Sequence, residues 1–372
     1  MSEVKEIIWL TENYPPQKGG MAQSCDRIIN GLRQVGLIIH IVHFTNRKEP
    51  FISEVEENGT YTPVPVHPDE SHTLHLAINY LQKSNLKKSL LVVFGGYLPM
   101  LAAPIYKIWL DCQLLLMIRG NDFDAAIFSP KKRQILTDAM QKADLVSCVS
   151  HHKSVAIRKL FPDTKVSYVP NGIDPFSWQP LPSDFEFAQQ WKSEKAKGKL
   201  VLGCFGHLKE KKGLDTLFSA LSSPALKERI ILFLIGDVTE QLLQEVKEHE
   251  VSFQILPFEE RLNLIKYYLC CDCLVVPSHY DGMPNVLLEA GLLEIPVIAS
   301  ARDGMLDLIT DKEDGLLFEA GDVKDLRRVL FSFQDMTEKQ RSSMGKMLNK
   351  KIVHNFNSKS ETEKYHEIIQ SL

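Results

Sequence analysis

Leu274-Val275-Val276-Pro277-Ser278-His279-Tyr280-Asp281-Gly282-Met283-Pro284-Asn285-Val286-Leu287-Leu288-Glu289-Ala290 leaves a strand, turns, and enters a helix. Leu274–Val276 is a short continuous apolar run, Gly282 lets the chain turn, and Pro284 suits a first helical turn. The free N–H groups and dipole of that turn make an anion site. Glu289 is the anomaly, because the helix from Val286 to Leu293 is apolar almost all round. Its carboxylate is therefore expected to be buried, which is costly without a partner. A ligand's hydroxyl pair would supply one; a structural salt bridge or a single exposed stripe would also account for it.

Outward from this segment, strands and helices alternate. Before it come Leu200–Phe205, a helix from Leu214, Ile230–Ile235, a helix from Thr239, Phe253–Leu256 and a helix from Glu259; after it come Val297–Ala299, a short helix near Leu306, Leu316–Phe318 and a helix from Val323. Such alternation predicts βαβ units and a parallel sheet. The first half repeats the theme with apolar runs at Glu6–Leu10, Leu37–Phe44, Leu90–Phe94, Leu114–Ile118 and Leu145–Val149. Continuous rather than alternating runs mark strands covered on both faces. Residues 46–72 read as loops or short strands, and 175–199, polar with Pro180 and Pro182, as a linker. The expected fold class is α/β: two Rossmann-like, doubly wound parallel-sheet domains, 1–172 and 173–354, facing a central cleft at their carboxyl strand edges.

Composition narrows the function. The 372 residues carry a net charge of −4, which excludes a general nucleic-acid binder. The opening Met1-Ser2-Glu3-Val4-Lys5-Glu6 lacks the apolar core of a secretion signal. Seven cysteines, an odd number, point to reduced thiols and a cytoplasmic location. Leu90 to Tyr106 approaches the length of a membrane span but contains Gly95, Gly96, Pro99 and Pro104, so it reads as strand, loop and helix. Cys270-Cys271-Asp272-Cys273 has no second ligand pair at zinc spacing and reads as buried thiols; no metal site is expected.

Two further loops follow strands. Phe205-Gly206-His207-Leu208-Lys209-Glu210-Lys211-Lys212-Gly213 places Lys212 just before a helix, where an ammonium can meet a phosphate; a solvated loop is the alternative. Gln17-Lys18-Gly19-Gly20 is too short for a Walker or dinucleotide fingerprint but can bring backbone N–H groups to an anion.

The ordered set of motifs resembles the family 4 glycosyltransferases of glycosyltransferase-B fold. It comprises Pro15-Pro16 with Gly19-Gly20, Val169-Pro170-Asn171-Gly172-Ile173-Asp174, the 206–213 loop, two acids (Asp281 and Glu289) separated by seven residues, and Asp314-Gly315-Leu316-Leu317-Phe318. The resemblance implies a C-terminal helix within 355–372 that packs back on the first domain. It implies an enzyme moving a sugar from a UDP-, GDP- or ADP-sugar to an unidentified acceptor, with retention and without a metal or other cofactor. Glu289 would accept the ribose hydroxyls, and Lys212, with His207, would neutralise the diphosphate. Asp281 and the segment Gly282, Met283, Pro284 and Asn285 would hold the sugar; the backbone near Leu256 would meet the base, and Gly19 and Gly20 would face the donor. Asp281 stands where Glu is usual and His207 where Arg is usual. Arg119 falls where many members place a His, so it joins the catalytic candidates, with Asp122 as an acceptor-binding candidate; a local ion pair is their alternative. A non-catalytic nucleotide-sugar binder, or an epimerase on the same fold, remains the competing reading. Lys131-Lys132-Arg133 and Lys83, Lys87 and Lys88 are basic clusters suited to peripheral contact with the inner face of a membrane, or simply solvated helix faces.

Overall fold

The computed structural model describes residues 6–47, 51–84, 90–237 and 239–372. Lys87 and Lys88 lie outside the described residues, as do Met1 to Lys5. The chain forms two compact units, residues 1–171 with 358–372, and 172–357.

The first unit holds strands β1 (Glu6–Thr11), β2 (Ile38–Thr45), β3 (Glu54–Glu56), β4 (Gly59–Pro65), β5 (Leu90–Phe94), β6 (Leu114–Ile118), β7 (Leu145–Cys148) and β8 (Val166–Tyr168). They form one sheet in the order β3-β4-β2-β1-β5-β6-β7-β8, parallel except for β3 against β4. The central strands are fully buried, as their unbroken apolar runs require: Ile7 to Leu10, Leu91 to Phe94 and Leu114 to Ile118 have no exposed surface. The chain reverses direction across the sheet between β1 and β5, which makes the carboxyl ends of those strands the natural crevice.

Strands β9 (Leu200–Gly206), β10 (Ile230–Gly236), β11 (Phe253–Leu256), β12 (Cys273–Val276), β13 (Val297–Ser300) and β14 (Leu316–Phe318) build the second unit's sheet, in the order β11-β10-β9-β12-β13-β14. Its pairs are all parallel, and its reversal point lies between β9 and β12. The loops after those two strands are the 206–213 and 277–284 segments.

Several elements differ from the sequence expectation. The 46–72 stretch contains β4, a seven-residue parallel partner of β2, despite Pro63 and Pro65. Residues 175–199 are not a bare linker: a 3-10 turn over Pro175–Trp178, a helix over Pro182–Trp191 and a π turn over Lys192–Ala196 occupy it. Trp178 is buried there, and the Trp191 ring stacks on Phe233 at 4.6 Å. The polar surface of that helix hid the few aromatic anchors that dock it.

The final helix, Ser358–Ser371, belongs to the first unit, with Tyr365 and Ile369 in the same core as Ile28, Ile29 and Leu32. Charge fixes it as well as packing. Glu361 takes a bidentate bond from Arg27, at 2.8 and 3.3 Å, and lies 3.6 Å from Arg119 Nη2. Both the Glu361 and Arg119 side chains are 2% exposed. Breaking a buried pair strands the remaining charge, so Glu361→Ala should lower the unfolding free energy of this unit by about 3–5 kcal/mol. Urea unfolding followed by Trp fluorescence measures it; a loss under about 1 kcal/mol would show that the helix is held by its apolar face alone.

Candidate functional site

In the second unit the β9 and β12 loops lock together through their backbones. Gly213 sits at φ +64, and a Cβ there would lie 2.1 Å from the Pro277 carbonyl oxygen. Only glycine combines that φ with that approach. His279 N–H donates to Lys211 C=O at 2.9 Å, tying the same two loops again. The β13 loop joins them: a Cβ on Gly304 would lie 2.0 Å from the Gly282 carbonyl oxygen.

This scaffold brings together most of the residues singled out above. Lys212 Nζ donates to Asp281 Oδ2 at 2.5 Å, both side chains 17% exposed. Gly206 lies against Val286, a Cβ there falling 3.9 Å from its side chain. The 206–213 loop therefore meets the first turn of the Asn285–Leu292 helix. Pro284 precedes that helix rather than starting it, because its ψ of 123° is extended; Asn285 is the first helical residue. Met283 is buried beneath the turn. His207 Nδ1 lies 2.7 Å from Asp237 Oδ2 at the end of β10. The His207 ring stacks on that of Phe258 at 6.1 Å, their planes 25° apart, so the loop after Leu256 reaches the same place.

Glu289 is buried, at 6% exposed, as its apolar helix predicts. Tyr268, on the Arg261–Leu269 helix, donates its hydroxyl to Glu289 Oε2 at 2.6 Å. Burial drives the Tyr268 pKa well above 10, with the Glu289 charge adding to the shift, so the phenol stays protonated and acts as a donor. Its ring is wedged between Phe205 at 4.7 Å and Trp178 at 5.7 Å. The three neighbouring thiols are buried. Cys270 and Cys271 point back at helix carbonyls, and desolvation pushes the Cys270 thiol up to about 12. Among the described residues no group of three or more His, Cys, Asp or Glu side chains is arranged to hold a metal ion.

Two family models match this architecture: one for glycosyltransferase family 4 over residues 18–175, the other for glycosyl transferases group 1 over residues 185–350. The chain belongs to the family 4 glycosyltransferases. Among relatives of this chain is the UDP-Gal:alpha-D-GlcNAc-diphosphoundecaprenol alpha-1,3-galactosyltransferase of Escherichia coli, 24% identical over 60% of this chain. The match spans 59% of that enzyme, less than two thirds of its length. A GDP-mannose-dependent monoacylated alpha-(1-6)-phosphatidylinositol monomannoside mannosyltransferase of Corynebacterium glutamicum is 21% identical over 90% of both chains. Solved structures show the same glycosyltransferase-B fold. Sucrose-phosphate synthase of Thermosynechococcus elongatus superposes with a TM-score of 0.84 at 16% identity, covering 99% of this chain and 98% of its own. HepE of Anabaena, solved with UDP-glucose, gives 0.79 at 17%, covering 99% and 100%.

In the first unit two of the candidate residues are engaged by the protein itself. Arg119 is buried among partners from the protein itself. Its guanidinium donates to Tyr365 Oη at 2.9 Å and to Asn171 Oδ1, and sits 5.1 Å from the Phe94 ring centroid. It anchors the C-terminal helix and the end of the unit's chain. Asp122 is spent on its own loop, its two oxygens accepting the N–H groups of Arg119 at 2.8 Å and Gly120 at 2.6 Å. Burial raises its pKa and those two bonds oppose the rise. Gly19 precedes, and Gly20 begins, the Gly20–Gln34 helix that follows β1.

A cavity of about 760 Å³ opens where β1 and β2 end. Lys18, His43, Arg47, His67, Glu70 and Tyr97 are among its lining residues. Glu12 lines it just past the end of β1, and its carboxylate accepts the N–H groups of Tyr97 at 2.9 Å and Leu98 at 2.7 Å, capping the Tyr97–Trp109 helix from a distant segment. Neither Glu12 nor Tyr268 has a local sequence signal, since each acts on a residue far along the chain.

Removing the Tyr268 hydroxyl takes a short donor away from the buried Glu289 carboxylate. Tyr268→Phe should cost about 1–3 kcal/mol of stability while keeping the ring packing. Thermal unfolding of the variant measures it; an unchanged midpoint would show that water takes over the bond.

Proposed function

We propose that the chain is a retaining, metal-independent glycosyltransferase that takes its sugar from a nucleotide-sugar donor held on the second unit. The observation that carries the reading is the contact between Lys212 and Asp281 beside the Asn285–Leu292 helix. A nucleotide sugar joins its sugar to its diphosphate through one oxygen. Residues serving the two sides of that bond have to be neighbours, and these are. When the bond from the anomeric carbon to that oxygen breaks, the oxygen keeps the electron pair and the diphosphate gains charge. The Lys212 ammonium and the N–H groups ahead of the helix are fixed positive charge at that position, and they favour the oxocarbenium-like transition state over the ground state. Asp281 would hold a sugar hydroxyl. Glu289, with one oxygen fixed by Tyr268, would present the carboxylate to the ribose diol.

The acceptor site we assign to the cavity of the first unit, whose lining mixes hydrogen-bonding and charged side chains. The two relatives named above act, by their names, on acceptors carried by undecaprenol diphosphate and by phosphatidylinositol. A lipid-carried acceptor is accordingly the class we favour for this chain.

A thermal-shift screen of UDP-, GDP- and ADP-sugars, followed by release of nucleoside diphosphate, tests the assignment. Glu289→Ala should weaken nucleoside diphosphate binding by about 1–3 kcal/mol. Lys212→Ala should cut kcat about a hundredfold with a smaller change in KM, the mark of an interaction that grows in the transition state. Unchanged kinetics in the Lys212 variant would remove it from the mechanism. A protein that binds nucleotide but turns over no donor would be the non-catalytic homologue.

The metal-independent part has its own measurement. Because Lys212 supplies the counter-charge, activity should persist in EDTA; its abolition, with rescue by manganese, would overturn that part of the reading.

A further inference from the structure

Strand register sets His207 and Asp237 side by side. In the parallel pair of β9 and β10, Gly206 is aligned with Gly236, and each is followed directly by one of the two residues. The strands close up at that point, where a Cβ on Gly236 would collide with the Gly206 carbonyl oxygen. Imidazole and carboxylate therefore leave the carboxyl edge of the sheet together, and Nδ1 meets Oδ2 at 2.7 Å. Gly206 lies against Val286 in the first turn of the Asn285–Leu292 helix, and Lys212 ends the same loop. The pair thus stands among the loops assigned to the donor's diphosphate.

Solvent reaches both side chains, 40% and 64% exposed, so the ion pair adds little to stability. What it adds is a fixed arrangement of protons. An ionised carboxylate only accepts, so the proton of a neutral ring sits on Nδ1. Nε2 makes no hydrogen bond among the described residues. In the neutral ring Nε2 is a lone pair, which repels a diphosphate oxygen. A second proton turns it into a charged N–H donor, and the Asp237 charge favours that form.

We propose that Asp237 is a positioning residue that makes donor binding proton-linked: it holds the Nδ1–H of His207, so the diphosphate is met by a proton taken up on Nε2. The inference rests on reading this site as the donor site. Up to one proton enters from solvent with each donor bound and returns to solvent when the diphosphate leaves. Because the anion holds that proton more tightly in the complex than in the free protein, affinity is greatest at low pH and falls as the pH rises through the titration of the ring in the complex. Other charged groups surround the ring. Lys209, Glu210, Lys211 and Lys212 share its loop, and Glu259 and Glu260 adjoin Phe258. Across the loop after β12 are Asp281 and the second imidazole of these loops, His279, whose Nε2 lies 3.6 Å from Asp215 Oδ1.

Calorimetric titration of the full chain with UDP-glucose, GDP-mannose and ADP-glucose tests it. Intact donors are used because an esterified diphosphate, unlike a terminal phosphate, does not itself titrate near neutral pH. The donor that binds should lose about tenfold in affinity between about pH 6 and pH 8, with net proton uptake read from the change in binding heat between buffers of different ionisation enthalpy. His207→Arg, whose charge does not change over that range, should bind without proton uptake and without the fall. Asp237→Asn can still accept from Nδ1 but lacks the charge, so the fall should move to lower pH while the unfolding midpoint stays unchanged. His279→Asn should titrate like the parent. Affinity that is flat in pH, proton uptake that survives His207→Arg, an Asp237→Asn protein that titrates like the parent, or a dependence lost in His279→Asn each overturns the inference and leaves the donor site standing. Failure of all three donors to bind at any pH sinks the donor reading, and this inference with it.

Discussion

Gly213 against the Pro277 carbonyl is the contact on which the site of the second unit depends. It allows the loop after β9 and the loop after β12 to touch through backbone, with no side chain between them. Lys212 and Asp281 are neighbours of those two points, and their 2.5 Å contact follows from the backbone approach. Any larger residue at 213 would hold the loops apart and separate the cation from the carboxylate. The parallel sheet explains why these loops meet at all. Strands that all run one way end at one edge, and at the reversal between β9 and β12 the following helices leave to opposite faces.

The opposite edges of the sheets use carboxylates differently. Asp144 accepts the N–H of Leu114 at 2.7 Å and a bond from Lys107 at 2.7 Å. Asp272 accepts the N–H of Val201 at 2.8 Å and a bond from Lys192 at 2.8 Å. Each stands just ahead of a strand, β7 or β12, and closes the start of the neighbouring one, β6 or β9. The same triad of carboxylate, strand N–H and lysine thus recurs in both units. There the acid saturates groups that the sheet leaves over, which is a structural task. An Asp at an amino edge and an Asp at a carboxyl edge look alike in sequence; which edge of the sheet they occupy separates their roles.

That distinction marks how far the sequence could be read. The buried parallel strands announce themselves because both faces are covered, so Leu90–Phe94 or Leu114–Ile118 can hardly be anything else. Residues 46–72 read only as loops or short strands because β4 lies near the sheet's edge, with three of its seven residues covered, and carries two prolines. The loops at the reversal of the second sheet were legible from glycine, proline and lysine in order. The partners of Arg119 are illegible in its own segment, because Asn171, Glu361 and Tyr365 are 52 to 246 residues away. Local pattern carries no information about such partners.

Glu12, half-buried, and Glu289, buried, are two acids of this fold that share one feature. Each is met by donors from a distant segment: Glu12 by the first N–H groups of the Tyr97–Trp109 helix, Glu289 by the Tyr268 hydroxyl. The consequences differ. Glu12 has both oxygens committed to one helix terminus, so its charge is offset where the dipole is most positive and it acts as a wall of the cavity. Glu289 receives a neutral donor on one oxygen. A phenol that stays protonated stabilises the carboxylate without cancelling its charge, and its wedged ring fixes the direction in which that charge faces. A carboxylate met this way is held in one orientation by a ring that is itself packed on both sides.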